Sequence, residues 1–254
     1  MSAFLNYKLQ GEGTPLVMLH GLFGSLDNLG ILARDLSQDH QVLSVDLRNH
    51  GLSFQSEQHD YELMANDVLA LIQHLRLENI TLVGHSMGGK VAMKLASLMG
   101  DNVHKLVVLD MAPVAYTQAR HDNVIAGLEA VIAGKPTSRS DAMKLMAQHI
   151  EMDGVRQFLG KSLYKDDNHL AWRFNVESLK ANYWNILGWE PIEPVTCPTL
   201  FIKGANSDYL TDAHQKAVVE QFTQVKAHVI ANTGHWLHAE KPQEVLRVIR
   251  RFVQ

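Results

Sequence analysis

The sequence Gly-His-Ser-Met-Gly at residues 84–88 places one serine, Ser86, between two glycines. A short apolar run at 80–83 precedes this segment, and an amphipathic pattern with apolar residues such as Val91 and Leu95 follows it. This order predicts a strand, a sharp turn and a helix, with the serine hydroxyl exposed on the turn and the helix N-terminus directed at it. A serine placed in this way is a candidate nucleophile. The alternative is a glycine-rich connection with an incidental serine.

A serine hydroxyl is a weak nucleophile, so it needs a base within hydrogen-bond reach and an acceptor that orients the base. Of the 14 histidines, His235 fits best because it follows the last predicted strand and precedes the final helix. When the nucleophile lies on a strand–turn–helix of this kind, the triad residues follow in the chain order serine, acid, histidine. His238, one helical turn later, is the fallback base. The alternatives for these two histidines are a structural role in the loop and a shared metal site.

The acid that orients the base has two candidates, each placed after a predicted strand. Asp110 ends the apolar run 106–109, and Asp208 lies in the segment 204–208 after the penultimate strand. Either carboxylate can accept a hydrogen bond from a histidine Nδ1–H and stabilise the imidazolium. We take Asp110 as the first choice because an uninterrupted buried strand fixes its position, and Asp208 stays the alternative.

A developing oxyanion needs two N–H donors directed at one point. The amide of Met87, which follows the nucleophile, is one predicted donor. The second should come from the loop after the apolar run 16–19, which reads His-Gly-Leu-Phe-Gly-Ser at residues 20–25. We predict the Leu22 amide as this donor, with the Phe23 amide as the second choice. A turn shaped only by packing is the alternative.

Strand-like runs alternate with helical patterns at both ends of the chain, which predicts a mostly parallel sheet with helices on both faces. The predicted strands cover residues 4–9, 16–19, 42–45, 80–83, 106–109, 200–202 and 225–230. Residues 115–188 show little strand signal, and their helical patterns cover 124–133, 139–148, 154–162 and 176–186. We therefore predict a helical insertion over the carboxyl ends of the strands, where open α/β sheets bind ligands.

The composition of the chain excludes several classes of protein. Of its 254 residues, 46% are hydrophobic and 20% are charged, and the net charge of -4 gives no sign of a nucleic-acid or anionic-membrane partner. No apolar run is long enough to span a bilayer, and the first residues lack the pattern of a signal peptide. The single cysteine, Cys197, excludes an intramolecular disulfide. We therefore expect a cytoplasmic protein that acts on a small molecule.

With these segments in place, the chain resembles the α/β-hydrolase fold superfamily over essentially its whole length, and within it the YbfF-type bacterial esterases. The resemblance rests on His-Gly at 20–21, Asp-Leu-Arg-Asn-His-Gly-Leu-Ser at 46–53, the serine turn at 84–88 and Gly-His at 234–235. It implies an α/β-hydrolase core at residues 1–113 and 192–254, with a helical cap at 114–191 inserted after the sixth strand. It also implies hydrolysis of acyl esters, with acyl-CoA thioesters as a second substrate class. This chemistry needs no metal and no organic cofactor.

One position departs from the family pattern. Many members place the acid three residues after the glycine that ends the penultimate strand, but here that position is Ser207, and Asp208 comes one residue late. The departure favours Asp110, because some family members carry the acid at that position. The segment 46–53 mainly shapes the loop beside the pocket in this superfamily, so we interpret it as structural.

The resemblance also implies that the cap lines the acyl pocket. Substrate contacts are predicted for Phe23, Trp172, Arg173 and Trp236. Phe174 and Trp184 are further candidates for an apolar wall, although packing of the cap against the core explains these aromatic residues equally well. Arg120, His121 and Arg173 are candidates to meet a polar or anionic leaving group, with solvated or salt-bridged structural arginines as the alternative.

Other functions remain compatible with the same residues. The triad also suits a carbon–carbon or amide hydrolase and a cofactor-free haloperoxidase, whereas a dehalogenase or epoxide hydrolase of this fold would carry Asp in place of Ser86. A ligand-binding protein that keeps the fold without turnover is the alternative from another class. A pure binder has no need of a nucleophile, a base and an acid together, which argues against that alternative.

Overall fold

Residues 4–254, which the computed structural model describes, form nine strands and eleven α-helices. The strands are β1 (Tyr7–Gln10), β2 (Thr14–Leu19), β3 (His40–Val45), β4 (Ile80–His85), β5 (Val103–Leu109), β6 (Leu163–Asp166), β7 (His169–Trp172), β8 (Thr199–Gly204) and β9 (Val225–Ile230). The helices are α1 (Gly30–Leu36), α2 (Tyr61–His74), α3 (Met87–Met99), α4 (Asp122–Gly134), α5 (Arg139–Ala147), α6 (Asp153–Gly160), α7 (Val176–Ala181), α8 (Tyr183–Leu187), α9 (Gln215–Gln221), α10 (Leu237–Glu240) and α11 (Pro242–Val253). None of the helices in this part of the chain has the length and apolar character needed to cross a membrane.

Seven of the strands form one sheet in the order β1-β3-β2-β4-β5-β8-β9. All neighbouring strands run parallel except β1, which pairs antiparallel with β3. The mostly parallel sheet predicted from the alternating pattern is therefore confirmed. Every predicted strand overlaps an observed one.

Helices cover both faces of this sheet. Side chains alternate between the two faces along a strand, so Leu82 and Leu106 join one apolar cluster, which also contains residues of α2 and α3. Val83 and Val107 belong to a second cluster, to which α1 and α11 contribute. A strand that is covered on both faces needs apolar residues at successive positions, which explains the apolar run 106–109 of β5 and the mainly apolar run 80–83 of β4.

The segment between β5 and β8 contains helices α4 to α8 and the β6–β7 hairpin. Within the described residues only five strands precede it, so the prediction of an insertion after the sixth strand is wrong. The insertion is mainly helical, as predicted, but it also contains a hairpin that the sequence did not predict, in which β6 and β7 pair antiparallel from Leu163 opposite Trp172 to Asp166 opposite His169. A two-residue loop joins them, and its first residue, Asp167, has φ +48°. The boundaries of the core and the cap at 113/114 and 191/192 stay a prediction.

The strand ends that position the candidate site meet at one edge of the sheet. Since β2, β4, β5, β8 and β9 run parallel, their carboxyl ends all lie along this edge. Several hydrogen bonds join the insertion to residues close to this edge, and two of them illustrate the contact. Ser162 Oγ donates to the Phe23 carbonyl at 3.4 Å, and Lys90 Nζ donates to the Leu187 carbonyl at 3.0 Å. Any site at the strand ends is therefore enclosed between the sheet and the insertion.

Candidate active site

Ser86 lies on the sharp turn between β4 and α3, with φ +54° and ψ -122°. The flanking turn positions have no room for side chains. A Cβ on Gly84 would lie 2.2 Å from the Gly88 carbonyl oxygen, and a Cβ on Gly88 would lie 2.3 Å from that of Leu19. The two glycines therefore allow a close approach of strand and helix, while Ser86 is kept in a conformation that non-glycine residues rarely adopt. The turn is also fixed by the Ser86 amide, which donates to the Leu109 carbonyl at 3.1 Å.

A chain of hydrogen bonds connects Ser86 with the predicted base and the first-choice acid. Ser86 Oγ lies 2.8 Å from Nε2 of His235, and Nδ1 of the same ring lies 2.7 Å from Oδ2 of Asp110. The carboxylate accepts from Nδ1–H, so in the neutral ring Nε2 carries no proton and accepts from the serine hydroxyl. The structure thus brings Ser86, His235 and Asp110 together in the order that nucleophilic catalysis requires.

The carboxylate of Asp110 is fully buried, and hydrogen bonds satisfy its charge. Oδ1 accepts from the Gly204 amide at 3.0 Å, and Oδ2 accepts from the Ser207 hydroxyl as well as from His235. Ser207 stands at the position where the family pattern implied by the resemblance places the acid. The sequence analysis did not predict the hydrogen bond from Ser207 to Asp110. The serine in place of the expected acid was the signal from which this bond could have been inferred.

Asp208, the alternative acid, is paired with a different residue. Its side chain is 73% exposed, and Oδ1 accepts from Nη1 of Arg120 at 2.8 Å. This hydrogen bond lowers the pKa of Asp208. The Arg120 guanidinium in turn lies over the ring of Tyr209, 4.5 Å from its centroid. Within residues 4–254 no hydrogen bond joins Asp208 to His235, so the structure favours Asp110 over Asp208.

The ring of His235 is held by aromatic neighbours. Tyr209 stacks on it with 3.9 Å between the ring centroids, and the His235 carbonyl accepts from Nε2 of His85 at 2.9 Å. His238, the fallback base, packs against His85 at 4.2 Å instead, and burial lowers its pKa to about 3. The part of the chain that the structure describes contains no hydrogen bond between His238 and Ser86. It also contains no group of three or more His, Cys, Asp or Glu side chains placed to bind a metal ion.

The amides of Leu22 and Met87 are the two predicted oxyanion donors. Among the described residues neither amide has a hydrogen-bond acceptor, so both are available to a ligand. The Phe23 amide, which was the second choice, donates to Nε2 of His50 at 3.2 Å. The structure therefore favours Leu22 over Phe23 as the donor from this loop.

The orientation of the Leu22 amide follows from the carbonyl of the same peptide group. The Gly21 carbonyl accepts from Nδ1 of His20 at 2.8 Å, while Nε2 of His20 accepts from the Leu47 amide at 3.1 Å. In a trans peptide the N–H points opposite to the C=O, so the Leu22 N–H is directed away from His20. A Cβ on Gly21 would lie 3.2 Å from the Ser86 Cβ, which places this peptide group beside the nucleophile.

Ser86 and His235 line a cavity of about 420 Å³, which the insertion closes on one side. Its apolar wall comes from α4, α6 and the segment before α6, and consists of Val124, Ile150, Met152, Val155, Phe158 and Leu159. Phe23 and Trp236, both predicted to contact substrate, also line it. Arg120 and His121 contribute polar groups, and burial lowers the pKa of His121 to about 4. The cavity thus combines an apolar wall with a few polar groups near the nucleophile, which is typical of a ligand site.

Trp172 and Arg173 do not line this cavity, so their predicted contact with substrate is not supported. Trp172 is buried, donates from Nε1 to the Leu128 carbonyl at 3.2 Å and stacks on Phe174 with 5.1 Å between the centroids. Arg173 is exposed, and its guanidinium lies 4.6 Å from the Tyr164 ring centroid. Adjacent residues at the end of a strand point to opposite sides, which explains why one side chain is buried and the other exposed.

Trp184, a further candidate for the apolar wall, lies elsewhere on the surface. Its side chain is 63% exposed and lines an open groove of about 630 Å³ beside the start of α2. Ser86 and His235 are not among the residues that line this groove. The larger of the two concave regions is therefore not the one that contains the nucleophile.

A family model described as alpha/beta hydrolase fold matches residues 14–242. The chain belongs to the α/β-hydrolase fold family. The resemblance inferred from the serine turn, the His-Gly loop and the C-terminal histidine is therefore confirmed.

Two relatives and one solved structure make the likeness more specific. Esterase YbfF of Escherichia coli (strain K12) is 46% identical over 244 residues, which are 96% of this chain and 94% of that protein. The sn-1-specific diacylglycerol lipase ABHD11 of Mus musculus is 38% identical over 260 residues, covering 98% of this chain and 85% of that protein. A structure described as a marine microorganism esterase has a TM-score of 0.95 and 36% identity, and the match covers 99% of this chain and 100% of that chain. The predicted resemblance to YbfF-type esterases is confirmed.

Proposed function

We propose that this α/β-hydrolase is a carboxylic ester hydrolase in which Ser86 is the nucleophile, His235 the general base and Asp110 the orienting acid. The observation that carries the proposal is the continuous hydrogen-bond chain from Ser86 through His235 to Asp110, at the wall of a cavity. The relatives named esterase or lipase support the same reaction class.

The geometry suits a two-step acyl transfer to water. His235 takes the Ser86 proton as Oγ attacks the acyl carbonyl, and Asp110 stabilises the imidazolium that forms. The tetrahedral oxyanion accepts from the Leu22 and Met87 amides, which have no other acceptor within residues 4–254. The alcohol then leaves with the proton from His235. Water, activated by the same ring, hydrolyses the acyl-enzyme and returns the serine to its starting state.

The cavity suits a small-molecule substrate with an apolar acyl group. The wall formed by α4 and α6 is apolar, so an acyl chain gains free energy by leaving water there, about 0.8 kcal/mol for each buried methylene. Arg120 and His121 line the same cavity and are its candidates for contact with the polar part of the substrate, although Arg120 is already paired with Asp208. A thioester places its carbonyl on the same amides as an ester, so acyl-CoA thioesters belong to the proposal as a second substrate class.

The proposal is tested by hydrolysis of p-nitrophenyl esters from acetyl to palmitoyl, with the unmodified protein beside Ser86→Ala. We expect turnover that falls by several orders of magnitude in Ser86→Ala, with an unchanged circular dichroism spectrum. Ser97→Ala is the matched control, because Ser97 lies on the same helix and donates to the Glu193 carbonyl away from the cavity. A matched ester, thioester and amide of one acyl group then separates the hydrolase classes. A folded protein that hydrolyses none of them would leave a ligand-binding role as the better explanation.

The cytoplasmic location and the lack of a nucleic-acid or membrane partner, expected from the composition, stay predictions. The net charge of -4 supports the prediction that the protein has no nucleic-acid partner, since a nucleic-acid-binding surface is usually basic.

A further inference from the structure

The turn that carries the Leu22 amide contains a residue in an unusual backbone conformation. The Gly24 amide donates to the Gly21 carbonyl at 3.1 Å, which closes a four-residue turn with Phe23 at its third position. Phe23 has φ +60°, in the left-handed region that favours glycine or asparagine at this position of a turn. A phenylalanine stays in such a conformation only when neighbouring groups hold it there.

His50 provides one of these neighbouring groups. The Phe23 amide donates to Nε2 of His50 at 3.2 Å, and Nδ1 of His50 lies 2.9 Å from the Arg48 carbonyl oxygen. Because a carbonyl only accepts, Nδ1 carries the proton and Nε2 is an acceptor. The His50 side chain is 0% exposed, and burial lowers its pKa well below the usual value, so the ring is neutral and keeps this acceptor.

The segment 46–53, which the sequence marks as a motif, fixes the position of His50. The Asp46 carboxylate accepts from the Leu26 amide at 2.7 Å and from the Leu52 amide at 2.9 Å. It therefore ties the segment to the residues that directly follow the turn. A Cβ on Gly51 would lie 2.1 Å from Asp46 Oδ2, so only glycine fits next to His50. The hydrogen bonds of Asp46 and the close packing of Gly51 against it therefore fix the segment on either side of His50. They determine the position at which Nε2 of His50 accepts from the Phe23 amide.

We propose that His50 is a positioning residue of the oxyanion hole, which accepts from the Phe23 amide and so keeps the turn in the conformation that directs the Leu22 amide at the acyl oxygen. The inference rests on the proposed ester hydrolysis. His50 does not line the cavity, and its hydrogen bond to the turn is the one that it accepts from the Phe23 amide. Loss of its acceptor should therefore weaken binding of the charged transition state more than binding of the neutral substrate.

Three variants separate this role from a general role in packing. His50→Phe keeps a flat ring but has no acceptor, whereas His50→Gln retains an amide oxygen of similar reach. His59→Phe is the matched control, because His59 is also fully buried, with its ring centroid 5.8 Å from that of His50. In the described structure His59 makes no hydrogen bond to residues 20–25.

For each variant we would measure kcat and KM on p-nitrophenyl butyrate and the inhibition constant of an alkyl trifluoromethyl ketone. Attack of Ser86 Oγ on the ketone carbon gives a tetrahedral adduct whose charged oxygen occupies the oxyanion hole, while the serine proton moves to His235. The inhibition constant therefore measures directly how well the oxyanion hole binds a charged oxygen. Circular dichroism and thermal unfolding report the fold.

We expect His50→Phe to lower kcat and inhibitor affinity by about 10- to 100-fold, with KM within about threefold of the unmodified protein. His50→Gln should recover most of the loss, and His59→Phe should behave like the unmodified protein. If His50→Phe does not fold, His50→Leu takes its place in the comparison.

The inference is overturned if folded His50→Phe keeps its kcat and its inhibitor affinity, if His59→Phe loses as much, or if His50→Gln recovers nothing. An unmodified protein that hydrolyses no ester refutes the proposed function, and the inference with it. Turnover by the unmodified protein with an unchanged His50→Phe refutes the inference alone.

Discussion

Replacement of Lys90 by methionine tests how a buried amine contributes to stability beside the candidate nucleophile. Lys90 follows Ser86 by four residues on α3 and is only 1% exposed. Its Nζ donates to the Leu187 carbonyl at 3.0 Å and to the Gly188 carbonyl at 2.8 Å. The rings of Tyr61, Tyr116 and Trp189 surround it at 5.3, 4.8 and 5.8 Å from their centroids. The lysine thus joins helix α3 to the end of the insertion, and among residues 4–254 it has no carboxylate partner.

The expected magnitude follows from the pKa of the amine in the two states. Burial lowers the pKa of Lys90 from 10.5 to about 7, whereas in the unfolded chain it returns to its ordinary value. Between these two values the unfolded state binds more protons than the folded state, so the free energy of unfolding rises with pH. Below about pH 7 both states are protonated and the full penalty of the buried charge is present. From pH 7 to 9 this penalty should fall by about 2 kcal/mol.

The assay is urea unfolding at pH 7, 8 and 9 of the unmodified protein, Lys90→Met and Lys94→Met, followed by circular dichroism. The free energy of unfolding of the unmodified protein relative to Lys90→Met should rise by about 2 kcal/mol over this range, because other titrating groups cancel in the difference. Lys94, one turn later on α3 and partly exposed, is the matched control and should show no such rise. A constant difference for Lys90→Met would refute the reasoning. It would mean that the two carbonyls and three rings stabilise the ammonium enough to offset its burial.

Two further predictions concern the candidate triad and its turn. Asp110→Asn should lower kcat on p-nitrophenyl butyrate by about 10³- to 10⁴-fold, because the amide no longer orients and stabilises the protonated His235. Asp208→Asn should keep kcat within about threefold of the unmodified protein. A larger loss of kcat in Asp208→Asn than in Asp110→Asn would show that the acid is misassigned. Gly88→Ala should reduce the free energy of unfolding by about 3 kcal/mol or more, since its Cβ would meet the Leu19 and His20 carbonyl oxygens at 2.3 and 2.4 Å. Unchanged thermal unfolding of Gly88→Ala would contradict this account of the turn.

The candidate nucleophile and its hydrogen-bond partners were predictable because the position of each depends on a local rule. The turn at Ser86 needs glycine at 84 and 88, since any Cβ there meets a backbone carbonyl, and this need is visible as a spaced motif. Parallel strands bring the residues that follow them to one edge of the sheet, which made Asp110 and His235 candidates from their place after apolar runs. The choice between two acids was harder because both follow strands on that edge. Only the structure shows that one of the two carboxylates reaches His235.

The substrate-facing residues were less predictable because they depend on the orientation of the insertion. Strands β6 and β7 have four residues each, which is too few for a clear alternating pattern. The sequence therefore does not distinguish the hairpin from the helical region predicted around it. Without the hairpin, nothing in the sequence separates the buried Trp172 from the exposed Arg173. The wall of the cavity comes instead from α4 and α6, whose helical patterns were predicted but whose inward faces were not assigned.

Phe23 lies at the third position of the turn formed by residues 21–24, which carries the Leu22 amide. It contacts both the core and the insertion. Its amide donates to His50 in the core, while its carbonyl accepts from Ser162 of the insertion. Its ring also packs against Phe174, with 5.2 Å between the centroids, and Trp172 extends the same stack. This packing explains why a large aromatic residue occupies a left-handed position, since buried contacts offset a strain of about 1 kcal/mol or more. Phe174 and Trp172 therefore support the turn that carries the Leu22 amide, and their effect on substrate is indirect.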